Sequence, residues 1–472
     1  MSGLMISAAH KSSGKTTLSI GLCAALAARG LAVQPFKKGP DYIDPMWLAR
    51  AAGRPCINLD PYLTPARELA ARYARHAAAA DLALVEGNKG LYDGLALDGS
   101  NCNAALARAL GLPVVLAIDA RGMTRGVAPL LLGYQAFDRG VQIAGVILNQ
   151  VGGARHEAKL RAVIEHYTDI PVLGAVAHDE RLAMTERHLG LVPDAELRDA
   201  EARVGAIGEA VAAHVDLHRL LDVGRQAAPC PAPAPAIASR TPGRPVRIGL
   251  ARDRAFGFYY ADDLAALEAE GAQLVPFDTL RDARLPDVDG LFIGGGFPEA
   301  CLRELEANAS LRAELRRAID DGLPAYAECG GLMYLSRSIA WNGQRARMVG
   351  AIPGDAVMHA RPVGRGYVHL EETAAFPWPG GSGEVRGHEF HHSSLENLDA
   401  GVRFAYRVTR GHGIDGRHDG IVHRNVLASY AHRHGSGPAS WAPRFASFVR
   451  QVAERRRVRG GEAVAEGVEA CA

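Results

Sequence analysis

Three groups of residues have the types and spacing of reactive chemistry. In AAHKSSGKTT, residues 8–17, Gly14, Lys15 and Thr16 end the segment as a phosphate-binding loop ends, with Ala9 where G-x-x-x-x-G-K-[ST] has its first glycine. Between a strand and a helix, such a loop meets phosphate oxygens with backbone N–H groups and the helix N-terminus. Lys15 neutralises charge there and the Thr16 hydroxyl holds Mg²⁺. Ala9 costs little, because the first glycine shapes the loop and sends no side chain to the phosphate. Lys11 adds a second cation.

FKKGPDYIDP (36–45) places Lys37, Lys38, Asp41 and Asp44 on a loop stiffened by Gly39, Pro40 and Pro45. LVEGNKGLYDG then sets Glu86 at a strand end, where a carboxylate reaches Mg²⁺, and Asp93 one loop further on. A solvated charged turn would need no such convergence of carboxylates and cations from separate loops. The third group is AYAECGGLMYL (325–335), in which Cys329 ends a strand and two glycines open a helix. Strand, sharp turn, nucleophile and helix form an elbow that lifts a thiol from its sheet, favours the thiolate and frees backbone N–H groups for an oxyanion. A base is then required, and VLASYAHRH (426–434) offers His432 and His434 at the end of a late apolar strand. HEFHH (388–392) satisfies H-E-x-x-H, but zinc needs that pattern on a helix, and the flanks read as strand or loop.

These groups need a scaffold. Before residue 224 the runs LMISA, LAVQPF, ADLALVEG, PVVLAID, IAGVILN and PVLGAVA alternate with helical patterns. Apolar on both faces, they predict a parallel sheet covered on two sides, with its C-terminal loops sharing one crevice. GRQAAPCPAPAPAIASRTPGRP (224–245) cannot pair in a sheet or continue a helix and marks a linker. The alternation then restarts with VRIGLAR, AQLVPFD, GLFIGGG and LPAYAEC and turns strand-rich, an α/β unit with an antiparallel extension. The expected organisation is a P-loop domain over 1–223, the linker, and a second α/β domain over 246–460.

Bulk properties narrow the function. A 472-residue chain with net charge +1 and 22% charged residues has no excess of basic charge for nucleic acid or an anionic membrane. No apolar run reaches membrane length and the N-terminus lacks a signal pattern, so the expected location is cytoplasmic. Seven scattered cysteines without C-x-x-C fit reduced thiols.

Taken together, FKKGPDYIDP, LVEGNKGLYDG, ERHLGLV (186–192), ARDRAFGFYY (251–260), GGGFPE, AECGGLMYL, RGHEFHHS and ASYAHRH resemble, in order, the motifs of the cobyrinate a,c-diamide synthase family. The resemblance spans nearly the whole chain. It implies an ATP-binding domain similar to dethiobiotin synthetase fused to a class I glutaminase domain, amidating peripheral carboxylates of a tetrapyrrole with ATP, Mg²⁺ and L-glutamine. Carried over by position, Ser12, Ser13, Gly14, Lys15, Thr16 and Thr17 bind ATP, and Asn149 resembles the residue that reads adenine. Thr16, Asp41 and Glu86 hold the metal, while Lys37, Lys38, Asp44 and Asp93 face the substrate and acyl phosphate. Gly295, Gly296 and Gly330 form the oxyanion hole. His434 stands where class I glutaminases carry a carboxylate two residues after the catalytic histidine, so the triad has no third member visible in sequence. Lys38, Thr185 and GYVHL (366–370) depart from the family pattern and leave the tetrapyrrole open, with sirohaem and (nickel-)sirohydrochlorin as alternatives. The oligomeric state is open too, a homodimer being one option. Two rivals are a P-loop regulatory ATPase whose second half binds a ligand, and a ligase that takes free ammonia.

Overall fold

The structure, a computed structural model, describes residues 2–182, 184, 186–187, 190–197, 199–229, 244–381, 383–435 and 440–469. The chain divides into two compact units, Met1–Ala236 and Ile237–Ala472. Residues 230–243 of the expected linker, and Thr185, lie outside the described residues.

In the first unit seven strands form one parallel sheet in the order Ile57–Leu59, Val33–Lys38, Leu82–Glu86, Gly3–Ala8, Val114–Asp119, Ile143–Val151 and Val172–Ala177. Buried residues on both strand faces explain the unbroken apolar runs of the sequence. Ile57–Leu59 was not among the expected strands, and at three residues an edge strand is too short to show periodicity. The helix Leu217–Gly224 holds Gly224, and the Ala228 N–H still donates to Gly111 O at 2.8 Å. The first residues of the expected linker therefore belong to this unit.

The second unit carries a ten-stranded sheet. Ala272–Phe277, Val246–Ala251, Gly290–Ile293, Ala325–Glu328 and Val426–Ser429 run parallel; His418–His423, Arg403–Arg410, Gly364–Glu372, Glu384–His391 and His432–Arg433 continue it antiparallel. The unit also holds a four-stranded sheet. One core layer packs Phe292, Tyr326, Trp378, Trp441 and Phe445 with ring centroids 4.9 to 6.3 Å apart. The helix Trp441–Glu469 passes the expected end at 460.

Candidate functional site

In the first unit, the loop after Gly3–Ala8 enters the helix Lys15–Ala27 through Gly14, whose φ of 81° is left-handed. A side chain at Gly14 would also collide, since its Cβ would lie 2.0 Å from Asn149 Nδ2. No acidic residue occupies the helix's first turn, which leaves its positive end open to an anion. Beside it a cavity of about 440 Å³ is lined by Ser12, Gly14, Lys15, Thr16, Thr17, Asp41, Asp44 and Asn149, and also by Gln150, Val176–Asp179, Leu182, Met184, Leu191 and Val211. Burial lowers the Lys15 ammonium to about 8 against the attraction of Glu86.

One end of the crevice gathers three strand termini. Lys37 Nζ lies 2.5 Å from Asp44 Oδ2, 2.7 Å from Glu86 Oε1 and 3.9 Å from Asp41 Oδ2. The Thr16 hydroxyl donates to the same Glu86 oxygen at 2.7 Å and to Asp44 Oδ2 at 3.3 Å. Burial alone would discharge Lys37; Asp44, Glu86 and Asp41 outweigh it and hold the ammonium well above its ordinary value. Burial and the nearby Asp44 push the Asp41 carboxyl up to about 7. Glu86 Oε2 is buried with no hydrogen-bond partner. An orphaned carboxylate oxygen beside a threonine hydroxyl and an aspartate is a fitting donor set for a hard cation such as Mg²⁺.

The other candidates of this unit make further contacts. Lys11 is exposed and absent from the cavity wall. The Ser13 hydroxyl donates to His10 O at 2.9 Å, bracing the loop from within. Lys38 is buried and donates to Asn88 Oδ1 at 3.0 Å. Asp93 accepts from the Gly90 N–H at 2.9 Å, holding its own loop. Asn149 lines the cavity, and its amide donates to Ser13 O at 3.0 Å. Asp41 Oδ1 accepts the N–H groups of Ile43 and Asp44 and so fixes the entry to the helix Ile43–Ala52.

In the second unit the elbow is strained. Cys329 has φ 47° and ψ −99°, a conformation that costs on the order of 1–3 kcal/mol and persists only where its surroundings impose it. Here they do: its N–H donates to Ser429 O at 2.7 Å, and the helix Gly330–Leu335 starts at once. Cys329 acts on the His432 imidazole, and His432 Nδ1 lies 3.2 Å from Glu328 Oε2. Burial would lower the imidazole, but Cys329 and Glu328 raise it to about 10. Gly295 abuts this ring, since a Cβ there would sit 2.7 Å from His432 Cε1, and a Cβ on Gly330 would sit 3.0 Å from Gly296 N. The three glycines thus crowd around Cys329 and His432.

His434 does not share that place. Its Nε2 lies 3.0 Å from Asp262 Oδ2, and its ring packs on Tyr260 at 4.3 Å. The strand His432–Arg433 is only two residues long, so the alternation that would return His434 to the thiol ends too soon. The carboxylate beside His432 is Glu328, the residue before Cys329. Its partnership with His432 depends on the register Glu328↔Ser429, which brings the approach to His432 alongside, and spacing alone gives no sign of it. HEFHH lies mostly on the strand Glu384–His391, so His388 and His392 do not share a helix face.

Two family models match the chain: "CobQ/CobB/MinD/ParA nucleotide binding domain" over residues 4–192 and "CobB/CobQ-like glutamine amidotransferase domain" over 247–439. A protein of Magnetococcus marinus named cobyrinate a,c-diamide synthase is 49% identical over 453 residues, 95% of this chain and 97% of that one. Proteins of the same name from Methanosarcina acetivorans and Listeria innocua are 43% and 38% identical, each over 92% of this chain and over 92% and 96% of their own. Among the described residues no helix is long and apolar enough to cross a membrane.

Proposed function

The chain belongs to the cobyrinate a,c-diamide synthase family, and we propose that it amidates the a and c side-chain carboxylates of a tetrapyrrole such as cobyrinate or hydrogenobyrinate through an acyl phosphate. It is a glutamine-hydrolysing carbon–nitrogen ligase with a nucleotide-binding domain. A carboxylate is a poor electrophile, and taking the γ-phosphoryl group of ATP gives it a good leaving group. Ammonia then attacks the carbonyl carbon, the C–N bond forms, and phosphate departs.

The observation that carries this reading is the pairing of unlike centres. A helix N-terminus faces a Lys37–Asp44–Glu86–Thr16 cluster in one unit, and a strained cysteine meets an imidazole in the other. In the first centre, Lys15 binds the phosphates and Lys37 meets the transferred phosphoryl group or the acceptor carboxylate. Mg²⁺, held by Thr16 and Glu86 with Asp41 or Asp44, would neutralise phosphate charge. Asn149 serves the adenine end. In the second, Cys329 attacks the amide carbon of glutamine, and His432, oriented by Glu328, delivers a proton to the departing ammonia. Backbone N–H groups of Gly330 and of Gly295 or Gly296 receive the oxyanion.

Acceptors labelled with ¹⁸O in their carboxylates test the mechanism. The label is expected in the released phosphate, and its absence would remove the acyl phosphate. Mass spectrometry of products from cobyrinate, hydrogenobyrinate, sirohydrochlorin and sirohaem tests the acceptor; a diamide from either of the first two supports the assignment, and product from the last two alone overturns it.

A further inference from the structure

His388 has no part in the chemistry above, yet it lies against the base. The strands Glu384–His391 and His432–Arg433 pair antiparallel with His388 directly opposite His432, which puts both side chains on one face of the sheet. Their rings stack 5.0 Å apart at 17°, and both are buried. Tyr260 Oη lies 3.4 Å from His388 Nδ1, and the Tyr260 ring in turn packs on His434, which pairs with Asp262. Behind the base stands a column of rings anchored on a carboxylate.

We propose that His388 is the positioning residue of the glutaminase base: a flat ring, steadied by Tyr260, that holds the His432 imidazole in the plane joining Glu328 to Cys329. This rests on the reading of Cys329 and His432 given above. A histidine anchored only through Nδ1 can still swing about its Cβ–Cγ bond, which would carry Nε2 away from the thiol. Glu328 fixes one nitrogen, Gly295 closes on the ring edge, and His388 covers a face. Reach to a single sulfur atom is sensitive to such freedom, since misplacement by about 1 Å can cost on the order of 10²-fold.

The neutrality of His388 follows from its surroundings. Titratable groups facing it include His432, His434 and Tyr260. Burial first, then the positive charge of His432 and His434, holds His388 well below the ordinary histidine range. A second cation stacked on a protonated His432 would repel it. Water reaching that face would weaken the bond to Glu328.

The test uses the full-length enzyme and follows three readouts: glutamine hydrolysis, the pH dependence of Cys329 alkylation by iodoacetamide, and ammonia-dependent amidation. For His388→Ala, kcat for glutamine hydrolysis is expected to fall about tenfold or more with KM changed less than about threefold, and the alkylation profile to move to higher pH. Ammonia-dependent amidation, which uses the other unit, stays at the wild-type rate, and the retained KM for glutamine shows that the second unit of the variant is folded. His388→Phe, flat and neutral, is expected to recover kcat to within about threefold of wild type. Wild-type kcat and alkylation in His388→Ala would overturn the proposal. A His388→Phe variant as slow as His388→Ala would overturn it as well, because the ring nitrogens and not the flat face would then matter. If Cys329→Ala still hydrolyses glutamine, the underlying reading falls and this proposal with it.

Discussion

The two centres solve different problems with different structures. The first gathers polar and charged groups: Lys37, Asp44, Glu86 and Thr16 arrive from three strand ends of one parallel sheet, and its loop takes positive φ at Ser12 (61°) and Gly14 (81°), away from the clustered side chains. The second concentrates strain on the proposed nucleophile, with Cys329 at φ 47° and Glu328, the partner of His432, adjacent to it in the chain. Stabilising a phosphoryl group in flight needs preorganised charge spread over several oxygens, so each group contributes a share. Forming a bond to one sulfur needs a single atom aimed correctly, so its loss is all or nothing. That contrast makes the two activities separable.

The largest effect expected is at the nucleophile. Cys329→Ser should cut glutamine-dependent amidation by at least about 10³-fold while ammonia-dependent amidation stays near wild type. Comparable loss with both nitrogen donors would end the two-centre picture. Lys15→Ala should do the opposite, reducing synthesis from glutamine or ammonia alike by on the order of 10³-fold. Synthesis that survives this change would mean that phosphate binds elsewhere.

Glu86→Gln keeps the side-chain shape and removes a charge from the acidic end of the crevice. Turnover should fall about 10²-fold with nucleotide affinity changed only a few-fold, and an unchanged rate would return Glu86 to a role in packing. At the other centre, His432→Ala should lower glutamine hydrolysis by roughly 10² and His434→Ala by clearly less. A larger loss at His434 would reverse that order and leave Cys329 untouched.

The smallest effect separates the centres by pH. Lys15 is held down to about 8 in the free enzyme, so below that pH it is already charged and binding ATP moves no proton through it. Above about 8 the amine is neutral, phosphate must recharge it, and affinity should weaken by up to about tenfold per pH unit while one proton is taken up. Calorimetry in buffers of different ionisation enthalpy measures that proton. Uptake at pH 7 and none at pH 9 would contradict the buried amine.

Much of the first centre was legible because its parts follow strands. An apolar run announces where a parallel strand ends, and the residues at that end must face the shared crevice, which is why Thr16, Lys37 and Glu86 could be grouped from the sequence. The side-chain choices within the loops were not legible. Lys38 turning to Asn88, Asp93 to Gly90 and Ser13 to His10 are decided by local backbone donors and acceptors that spacing does not reveal.

By itself the sequence determined the order of the two α/β units, the phosphate loop and the cysteine elbow, since each rests on local periodicity and on glycines at sharp turns. Only the tertiary structure decided that Glu328 serves His432, that His434 leaves for Asp262 and that His388 lies flat on the base. Those pairings join residues 44 to 172 positions apart, or 104 in the case of Glu328 and His432, and they depend on strand register. A shift of one residue turns every side chain of a strand to the other face, so no motif read along the chain could have chosen among them.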